Sequence, residues 1–351
     1  MKKRYLVLAD GSVFQGWAFG ADCTAVGELV FSTAMEGYVE TLTDPSYCGQ
    51  IVMQTFPLIG NYGVMEEDFE GKPWLRGYVV KEWCDAPSNF RCQYSVDEFL
   101  KRNNIPGLFG VDTRELTNRI REHGVVNAML TDTVPGDLSE IAAYAVRGAV
   151  DQVTAQTIQT VPADGPETYH VVLIDYGAKR NIVRSLTARG CRVTVVPAGT
   201  QAAEILTLHP DGIMLSNGPG DPAENTACIE TLKALLGRKP MFGICLGHQL
   251  LALACGGRTE KMKYGHRGGN QPCRDLETGR TYITSQNHGY AVVSGSVPGG
   301  RERFVNANDG TCEGLDYPDL DAFTVQFHPE ACGGPKDTSF LFNRFLDRMG
   351  R

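Results

Sequence analysis

The stretch Pro240-Met-Phe-Gly-Ile-Cys245-Leu-Gly-His-Gln249 decides the fold of the second half of this chain. The run from Met241 to Ile244 is short and apolar, as in a buried strand, whereas the residues from Leu246 to Cys255 have the apolar spacing of a helix. A cysteine at such a strand-to-helix turn, flanked by glycines, is held with its sulfur exposed for attack on a substrate. The unpaired amides at the start of a helix also favour the thiolate. The stretch therefore predicts that Cys245 is a nucleophile.

The sequence around this stretch alternates between strand and helix patterns from His170 onwards, with strand patterns beginning at Val171, Arg192, Gly212 and Met241. Such alternation predicts a mostly parallel sheet flanked by helices. Ligands bind beyond the carboxyl ends of the strands in such sheets, and both Cys245 and the turn Gly218-Pro-Gly220 fall at such ends. We therefore expect an α/β protein with a mixed α/β N-terminal domain over residues 1–150, a connector over 151–169 and the parallel-sheet domain over 170–351.

Length, net charge, apolar stretches and cysteine spacing restrict the classes of protein that fit this sequence. The length of 351 residues suits about two globular domains, and the net charge of -8, with scattered basic residues, does not indicate binding to nucleic acid or to an acidic membrane surface. The apolar stretch that starts at Tyr5 ends at Asp10, so it is too short for a signal peptide, and we find no membrane-spanning stretch. The eleven cysteines contain no CxxC pair. We therefore expect a soluble cytoplasmic protein with reduced thiols rather than disulfides.

A cysteine nucleophile needs a base, and the base needs an acid that orients it. The motif His328-Pro-Glu330 supplies both, because proline favours an extended backbone before it, in which residues two apart project to the same side. His248 and His288, the latter in a predicted loop over residues 285–290, are alternative bases, but neither has an acidic residue adjacent in sequence. We therefore favour His328.

The turn from Asn217 to Pro222 allows two interpretations. Asp221, Pro222 and Glu224 form an ordinary helix start, with a capping side chain and a proline in the first turn. Gly218 and Gly220 let the backbone approach a ligand closely and present amides to a developing oxyanion. The second oxyanion donor would be the backbone N–H of Leu246, the residue after the nucleophile.

Two further patterns argue against bound cofactors. The glycine-rich segment Gly265-His-Arg-Gly-Gly-Asn270 lacks the spacing of a dinucleotide fingerprint, and the chain contains no GxxxxGK[ST] motif for ATP. Its His, Cys and Asp residues also do not occur at metal-ligand spacing in the sequence. We expect no metal and no cofactor in this chain.

Taken together, Gly243-Ile-Cys-Leu-Gly-His-Gln249, Gly218-Pro-Gly220 and His328-Pro-Glu330 resemble the motifs of class I, triad-type glutamine amidotransferases. The first half of the chain indicates which of these amidotransferases the chain resembles most specifically. Three of its segments resemble the amino-terminal domain of carbamoyl phosphate synthetase small subunits: Thr43-Asp-Pro-Ser-Tyr47, Pro57-Leu-Ile-Gly-Asn-Tyr-Gly63 and Gly107-Leu-Phe-Gly-Val-Asp-Thr-Arg114. The resemblance covers nearly the whole chain.

This resemblance implies that Cys245 attacks the carboxamide of glutamine, that His328 protonates the departing ammonia, that Glu330 orients His328, and that water then cleaves the glutamyl thioester. It also implies a site at the domain junction, with glutamine contacts from Ser46, Gly218, Gly220, Leu246, Gln249, Asn287, Gly289 and Tyr290. The ammonia would pass through an enclosed tunnel to a large synthetase subunit, which makes carbamoyl phosphate from bicarbonate and ATP for the arginine and pyrimidine pathways. ATP and Mg²⁺ are expected only in that partner.

Two departures from the family pattern concern local detail. The chain reads Ala331-Cys-Gly-Gly-Pro-Lys336 where many relatives have Ala-Ser-Pro-Gly-Pro, and Tyr290 stands where phenylalanine is common. Two alternative functions stay open. One is a catalytically silent regulatory or scaffold subunit, and the other is a glutamine amidotransferase of another pathway, because the turn and the triad are shared by several enzymes.

Overall fold

The computed structural model describes residues 1–331 and 333–350. The chain forms two compact units, Met1–Val146 and Arg147–Arg351. Within the described residues, no helix combines the length and the hydropathy that crossing a bilayer requires. The departure from the family pattern at Cys332 lies outside the described residues.

The first unit contains a closed barrel of seven strands. The strands of the whole unit are β1 (Lys3–Leu8), β2 (Val13–Gly20), β3 (Ala25–Ser32), β4 (Gln50–Gln54), β5 (Leu58–Ile59), β6 (Gly77–Val80), β7 (Glu82–Trp83), β8 (Pro106–Phe109) and β9 (Val126–Thr131). The barrel order is β1-β2-β8-β6-β4-β3-β9, and β9 pairs back onto β1, whereas β5 and β7 form a separate two-stranded ladder.

Short helices complete the first unit: α1 (Tyr38–Thr43), α2 (Val96–Arg102), α3 (Thr113–His123) and α4 (Ser139–Ala143), with 3-10 turns at Pro45–Tyr47 and Glu66–Asp68. Helix α3 begins after Asp112, whose carboxylate accepts hydrogen bonds from the first-turn amides of Arg114 and Glu115 at 3.0 Å each. Helix α4 ends at Ala143, since the chain returns to an extended conformation at Tyr144.

The second unit alternates strands and helices and then ends in a run of strands. Its helices are α5 (Ala149–Val153), α6 (Arg180–Thr187), α7 (Ala202–Thr207), α8 (Thr226–Leu235), α9 (Leu246–Ala254) and α10 (Phe340–Met349). Its strands are β10 (Gln159–Val161), β11 (Tyr169–Asp175), β12 (Cys191–Pro197), β13 (Gly212–Leu215), β14 (Met241–Ile244), β15 (Thr259–Asp275), β16 (Thr281–Val292), β17 (Arg301–Asn306), β18 (Cys312–Tyr317) and β19 (Ala322–Val325), and 3-10 turns lie at Pro222–Glu224 and Pro318–Leu320.

The ten strands form one mixed sheet in the order β10-β12-β11-β13-β14-β19-β18-β16-β15-β17. The five strands from β12 to β19 in that order are parallel, which confirms the α/β fold. Strand β10 lies in the predicted connector and pairs antiparallel with β12 at one edge. Beyond β19 the remaining strands are antiparallel, an extension that the alternation of strand and helix patterns did not predict.

One local prediction was wrong: residues 285–290 are part of strand β16, not a loop. This segment pairs antiparallel with β15, with His288 opposite His266 and Asn287 opposite Arg267. The segment is rich in polar residues and so lacks the apolar alternation of a half-buried strand, but Gln286 and His288 are buried and hydrogen bonded to each other. The two strands carry register shifts at both ends of the glycine-rich segment Gly265–Asn270.

Apolar packing fixes the relative position of β14 and β19. Phe242 and Phe323 are paired across these neighbouring strands, and their rings stack with centroids 4.4 Å apart. Phe345 of α10 packs against the same pair, with its ring centroid 5.9 Å from that of Phe242. Because the two strands are parallel and in register, Cys245 and His328 both follow the carboxyl ends of adjacent strands.

Candidate active site

The turn at Cys245 has the geometry that the sequence predicts. The residue adopts φ 52° and ψ -104°, a conformation that L side chains rarely take and that costs about 1–3 kcal/mol. Its backbone N–H donates to the carbonyl of Val325 at 2.8 Å, and helix α9 begins at the next residue. The parallel neighbour strand thus holds the strained turn in place, and the side chain lies at the N-terminus of the helix.

Gly218 lies against the first turn of this helix. A Cβ built on it would lie 2.2 Å from the carbonyl oxygen of Tyr176 and 2.7 Å from the side chain of Leu246, so only glycine fits. Gly220 adopts φ 88° in the same loop. As the first residue of α9, Leu246 has an N–H without an intrahelical acceptor. The predicted oxyanion donors therefore come from a loop and a helix N-terminus that are packed together.

Asp221 has the structural role that the first interpretation gave it. Its carboxylate accepts a hydrogen bond from the amide of Ala223 at 2.9 Å and caps the 3-10 turn Pro222–Glu224.

His328 and Glu330 form a buried pair just beyond β19. The Nδ1 atom of His328 lies 2.7 Å from Oε1 of Glu330, and both side chains are almost completely buried. Because a carboxylate only accepts hydrogen bonds, Nδ1 carries the proton and the Nε2 atom of a neutral ring carries the lone pair. Nε2 has no hydrogen-bond partner among the described residues. The arrangement leaves a buried base with its reactive nitrogen available.

Lys179 also approaches the carboxylate, with its Nζ atom 3.9 Å from Oε1 of Glu330. Burial raises the pKa of the Glu330 carboxyl, but the charge and hydrogen bond of His328 and the charge of Lys179 lower it further, and the net direction is below its usual range. Glu330 is therefore held as a carboxylate that orients the imidazole. Sequence reasoning missed Lys179, although its place in the loop between the carboxyl end of β11 and the start of α6 was a usable signal.

Strand β16 brings the thiol and the imidazole to the same place. The thiol of Cys245 lies 3.7 Å from the carbonyl oxygen of Asn287, and the backbone N–H of His328 donates to the carbonyl of Ser285 at 2.9 Å. Those two carbonyls belong to residues two apart on one strand, a separation of about 7 Å along the chain. The charge of His328 is also among the influences on buried His288. Cys245 and His328, the predicted nucleophile and base, thus both contact one short length of β16.

The two alternative bases, His248 and His288, form hydrogen bonds with groups other than carboxylates. Burial lowers the pKa of His248 to about 3, and its Nδ1 atom lies 2.7 Å from the hydroxyl of Thr324 within the core. His288 has its Nδ1 atom 2.8 Å from the carbonyl of Tyr290 and its Nε2 atom 3.1 Å from Oε1 of Gln286, and burial lowers its pKa as well. Neither residue is paired with a carboxylate as His328 is.

Most of the predicted glutamine contacts lie close to Cys245 and His328. The side-chain amide of Gln249 donates to the carbonyl of Tyr290 at 2.8 Å and to Oε1 of Gln326 at 2.9 Å, which ties the start of α9 to β16. Asn287 and Gly289 lie on the same strand. Gln326 is a member of this network that the sequence did not reveal. Ser46 lies in the first unit, where its amide donates to Asp44 at 2.9 Å in the turn Pro45–Tyr47.

Comparisons with known proteins match both units. Residues 172–348 match the family model of class-I glutamine amidotransferases, and residues 6–130 match that of the carbamoyl-phosphate synthase small chain, CPSase domain. The chain is 52% identical over 354 residues to the carbamoyl phosphate synthase small chain of Oceanobacillus iheyensis, a match that covers 99% of this chain and 96% of that one. It is 51% identical over 352 residues to the carbamoyl phosphate synthase pyrimidine-specific small chain of Bacillus subtilis, with the same coverage. Among solved structures, a glutamine amidotransferase from Thermotoga maritima overlaps 51% of this chain and 80% of its own, at 16% identity and a TM-score of 0.39.

Proposed function

This chain belongs to the family of carbamoyl phosphate synthase small chains, and from that premise we propose that it hydrolyses L-glutamine through Cys245, His328 and Glu330 and delivers the ammonia to a large synthetase subunit. The observation that carries the proposal is the buried Nε2 atom of His328. It has no hydrogen-bond partner in the described residues, while Nδ1 is fixed by Glu330 at 2.7 Å.

The proposed reaction begins when the Cys245 thiol transfers its proton to Nε2 of His328 and the sulfur attacks the side-chain carbonyl carbon of glutamine. The carbonyl oxygen becomes an oxyanion, which accepts hydrogen bonds from the amide of Leu246 and from the Gly218–Gly220 loop. The C–N bond then breaks as His328 returns its proton to the leaving nitrogen, which departs as ammonia. Water, deprotonated by His328, cleaves the thioester, and the products are glutamate and ammonia.

Glu330 is proposed to keep His328 in the productive tautomer and to stabilise the imidazolium that forms in each half of the reaction. Its burial and its ion pair with Lys179 support this role, because they keep the charge fixed beside Nδ1. For glutamine itself we propose contacts from Gln249, Asn287, Gly289 and Tyr290, and the contact from Ser46 stays a prediction.

The partner is proposed to be the large ATP-dependent subunit, which combines the ammonia with bicarbonate to make carbamoyl phosphate for arginine and pyrimidine synthesis. Free ammonia is mostly ammonium near neutral pH, so an enclosed route between the subunits preserves the nucleophile. Glutamine hydrolysis as written needs no cofactor in this chain, and ATP and Mg²⁺ are assigned to the partner. A cytoplasmic location is proposed because none of the ten described cysteines forms a disulfide.

The test uses the chain co-purified with its native large subunit. Glutaminase activity and glutamine-dependent carbamoyl phosphate synthesis are measured for the wild type, for Cys245→Ala and for Cys255→Ala, a control cysteine at the other end of α9. We expect Cys245→Ala to lose at least about a thousandfold in both glutamine-dependent rates but to retain synthesis from added ammonium chloride. The control is expected to keep both activities.

Equal glutaminase rates in the wild type and Cys245→Ala would favour a silent regulatory or scaffold subunit. Recovery of a different ammonia-accepting enzyme in place of the synthetase would favour an amidotransferase of another pathway.

A further inference from the structure

Three buried side chains with metal-ligating atoms converge in the antiparallel part of the second unit. His266 of β15, His288 of β16 and Glu313 of β18 each offer one ligand atom, and these atoms all lie within 4.8 Å of one another. The residues come from three strands and are far apart in sequence. This separation explains why metal-ligand spacing in the sequence did not reveal them.

The outer edges of both imidazoles are fixed by short hydrogen bonds. Nε2 of His266 lies 2.8 Å from the carboxylate of Asp309, and Nδ1 of His288 lies 2.8 Å from the carbonyl oxygen of Tyr290. Nδ1 of His266 and Nε2 of His288 lie on the inner side and face Oε1 of Glu313 and Oε1 of Gln286, contacts that an ion between these atoms would replace. The outer partners, Asp309 and Tyr290, are acceptors, so the outer nitrogens donate to them. This is how histidine ligands of metals are oriented in proteins, with the far nitrogen bound to a carboxylate or a carbonyl.

The contacts on the inner side of the cluster are longer, and one carboxylate oxygen of Glu313 lacks a hydrogen-bond partner among the described residues. Nδ1 of His266 lies 3.3 Å from Oε1 of Glu313, and the amide nitrogen of Asn306 lies 3.4 Å and 3.2 Å from these same two atoms. Oε2 of Glu313 is fully buried and has no hydrogen-bond partner among the described residues. Two ligands at about 2.0–2.1 Å from a tetrahedral zinc ion stand about 3.3 Å apart, which matches the 3.3 Å between Nδ1 of His266 and Oε1 of Glu313.

We propose that Nδ1 of His266, Nε2 of His288 and the carboxylate of Glu313 bind a divalent transition-metal ion, with zinc as the best match. Two imidazoles and one carboxylate are a known ligand set for zinc. The charges also balance, because the dication neutralises Glu313 together with Asp309. Oε1 of Gln286, 3.1 Å from Nε2 of His288, is placed to serve as a fourth ligand.

A cavity of about 630 Å³ adjoins His266 at one side of the cluster. It is lined by His266 and Asp309 and by residues of β15 and β16, among them Lys261 and Tyr264. The bound ion would join β15, β16 and β18, and β16 is the strand whose carbonyls contact Cys245 and His328. The proposal departs from the expectation that this chain holds no metal, and it does not depend on the proposed glutamine hydrolysis.

The test measures metal content and thermal stability of the untagged full-length chain in complex with its large subunit, produced in zinc-supplemented medium. Elemental analysis is expected to find one zinc ion per chain beyond any in the large subunit purified alone. Removal of the ion with a chelator is expected to lower the Tm of this chain, and addition of zinc chloride alone is expected to restore it.

Variants locate the ion. We expect Glu313→Gln to lose zinc affinity by at least about a hundredfold, and Asp309→Asn, which removes the partner of His266, to lose about 10–100-fold. His123→Gln, an exposed histidine in the first unit, serves as the control and is expected to bind zinc normally.

The proposal is overturned if the wild type contains no stoichiometric zinc and its Tm does not respond to added zinc chloride. That result would mean that shared protons and hydrogen bonds alone hold the cluster. Full zinc occupancy in both Glu313→Gln and Asp309→Asn would also overturn it, because the ion would then lie elsewhere.

Discussion

Gly243 and Gly247 face each other across the turn at Cys245, without room for a side chain on either. A Cβ on Gly243 would lie 2.9 Å from the carbonyl carbon of Gly247, and one on Gly247 would lie 2.5 Å from the carbonyl oxygen of Leu215. The end of strand β14 and the first turn of α9 are therefore in backbone contact. This contact explains in physical terms why glycines occupy both positions flanking the cysteine.

The first prediction concerns the contact between Gly247 and Leu215. Gly247→Ala is expected to lower the free energy of unfolding by about 2–4 kcal/mol, because the new methyl group can be accommodated only by moving the backbone of β13 or α9. Urea denaturation of the full-length chain measures the change. Gly199→Ala is the matched control, since nothing lies within 4 Å of a Cβ there, and it should change stability by less than about 1 kcal/mol. Equal effects of the two substitutions would contradict the prediction.

The second prediction is that an electrophilic glutamine analogue labels Cys245 before any other cysteine. Burial raises the pKa of Cys48, Cys191 and Cys228 to about 11, so only about one in ten thousand of these thiols is ionised at pH 7. Cys245 instead lies at a helix N-terminus, whose unpaired amides favour the thiolate. Peptide mass spectrometry locates the label, and excess glutamine should slow its attachment. Labelling mainly at another cysteine would count against the assignment of the nucleophile.

The third prediction concerns the carboxylate behind His328. Glu330→Gln keeps the shape of the side chain but removes the charge that stabilises the imidazolium, so we expect glutaminase kcat to fall by about 10²–10⁴-fold with the fold intact. Steady-state kinetics of the complex give the rate, and circular dichroism checks the fold. A kcat within a few-fold of the wild type would show that Glu330 has no such role.

Lys179→Met tests the same carboxylate through its pKa. Since the folded pKa of Glu330 is depressed, its ionisation adds stability that is present above its unfolded pKa and is lost as the pH falls through the folded value. Removal of the Lys179 charge raises the pKa of Glu330, so the variant should lose stability and activity at a higher pH than the wild type does. Lys233→Met, an exposed lysine paired with Glu230, should leave the pH profile unchanged.

The fourth prediction separates His248 from His328. Because burial lowers the pKa of His248 to about 3, the unfolded chain binds a proton there below about pH 6.5 that the folded chain does not. Stability should therefore fall as the pH drops from about 6.5 towards 3, with a contribution approaching ~1.4 kcal/mol per pH unit from this residue. His248→Asn should flatten that part of the curve and retain glutaminase activity, whereas His328→Asn should lose most activity. Loss of activity in His248→Asn with the fold intact would make it the base.

The parallel half of the second unit could be predicted from sequence because its strands are continuous apolar runs. Such runs are buried on both sides, and the end of each run marks where loops converge. Cys245 and the Gly218 loop were found in this way, and Glu330 was found because it is two residues from His328. In each case a local pattern was enough.

The antiparallel half could not be predicted in this way, because its strands bury polar side chains that hydrogen bond to one another. Gln286 and His288 interrupt the apolar alternation of β16, so the segment has the composition of a loop. Lys179 and Gln326 meet the site only through strand pairing, and the cluster of His266 with Glu313 depends on the register of β15 to β18. Contacts between distant segments of this kind have no signature in a single sequence.

The pairing of strands in the described residues leaves little backbone available to another molecule. The barrel of the first unit is closed, and β17 pairs with both β15 and β18 at the far end of the large sheet, so that end is closed as well. The opposite end finishes in β10, which is three residues long. Unpaired strand edges are the templates on which chains add to one another in aggregates, and this architecture offers few of them. Within the described residues, the closed barrel therefore has no free strand edge to which another chain could add.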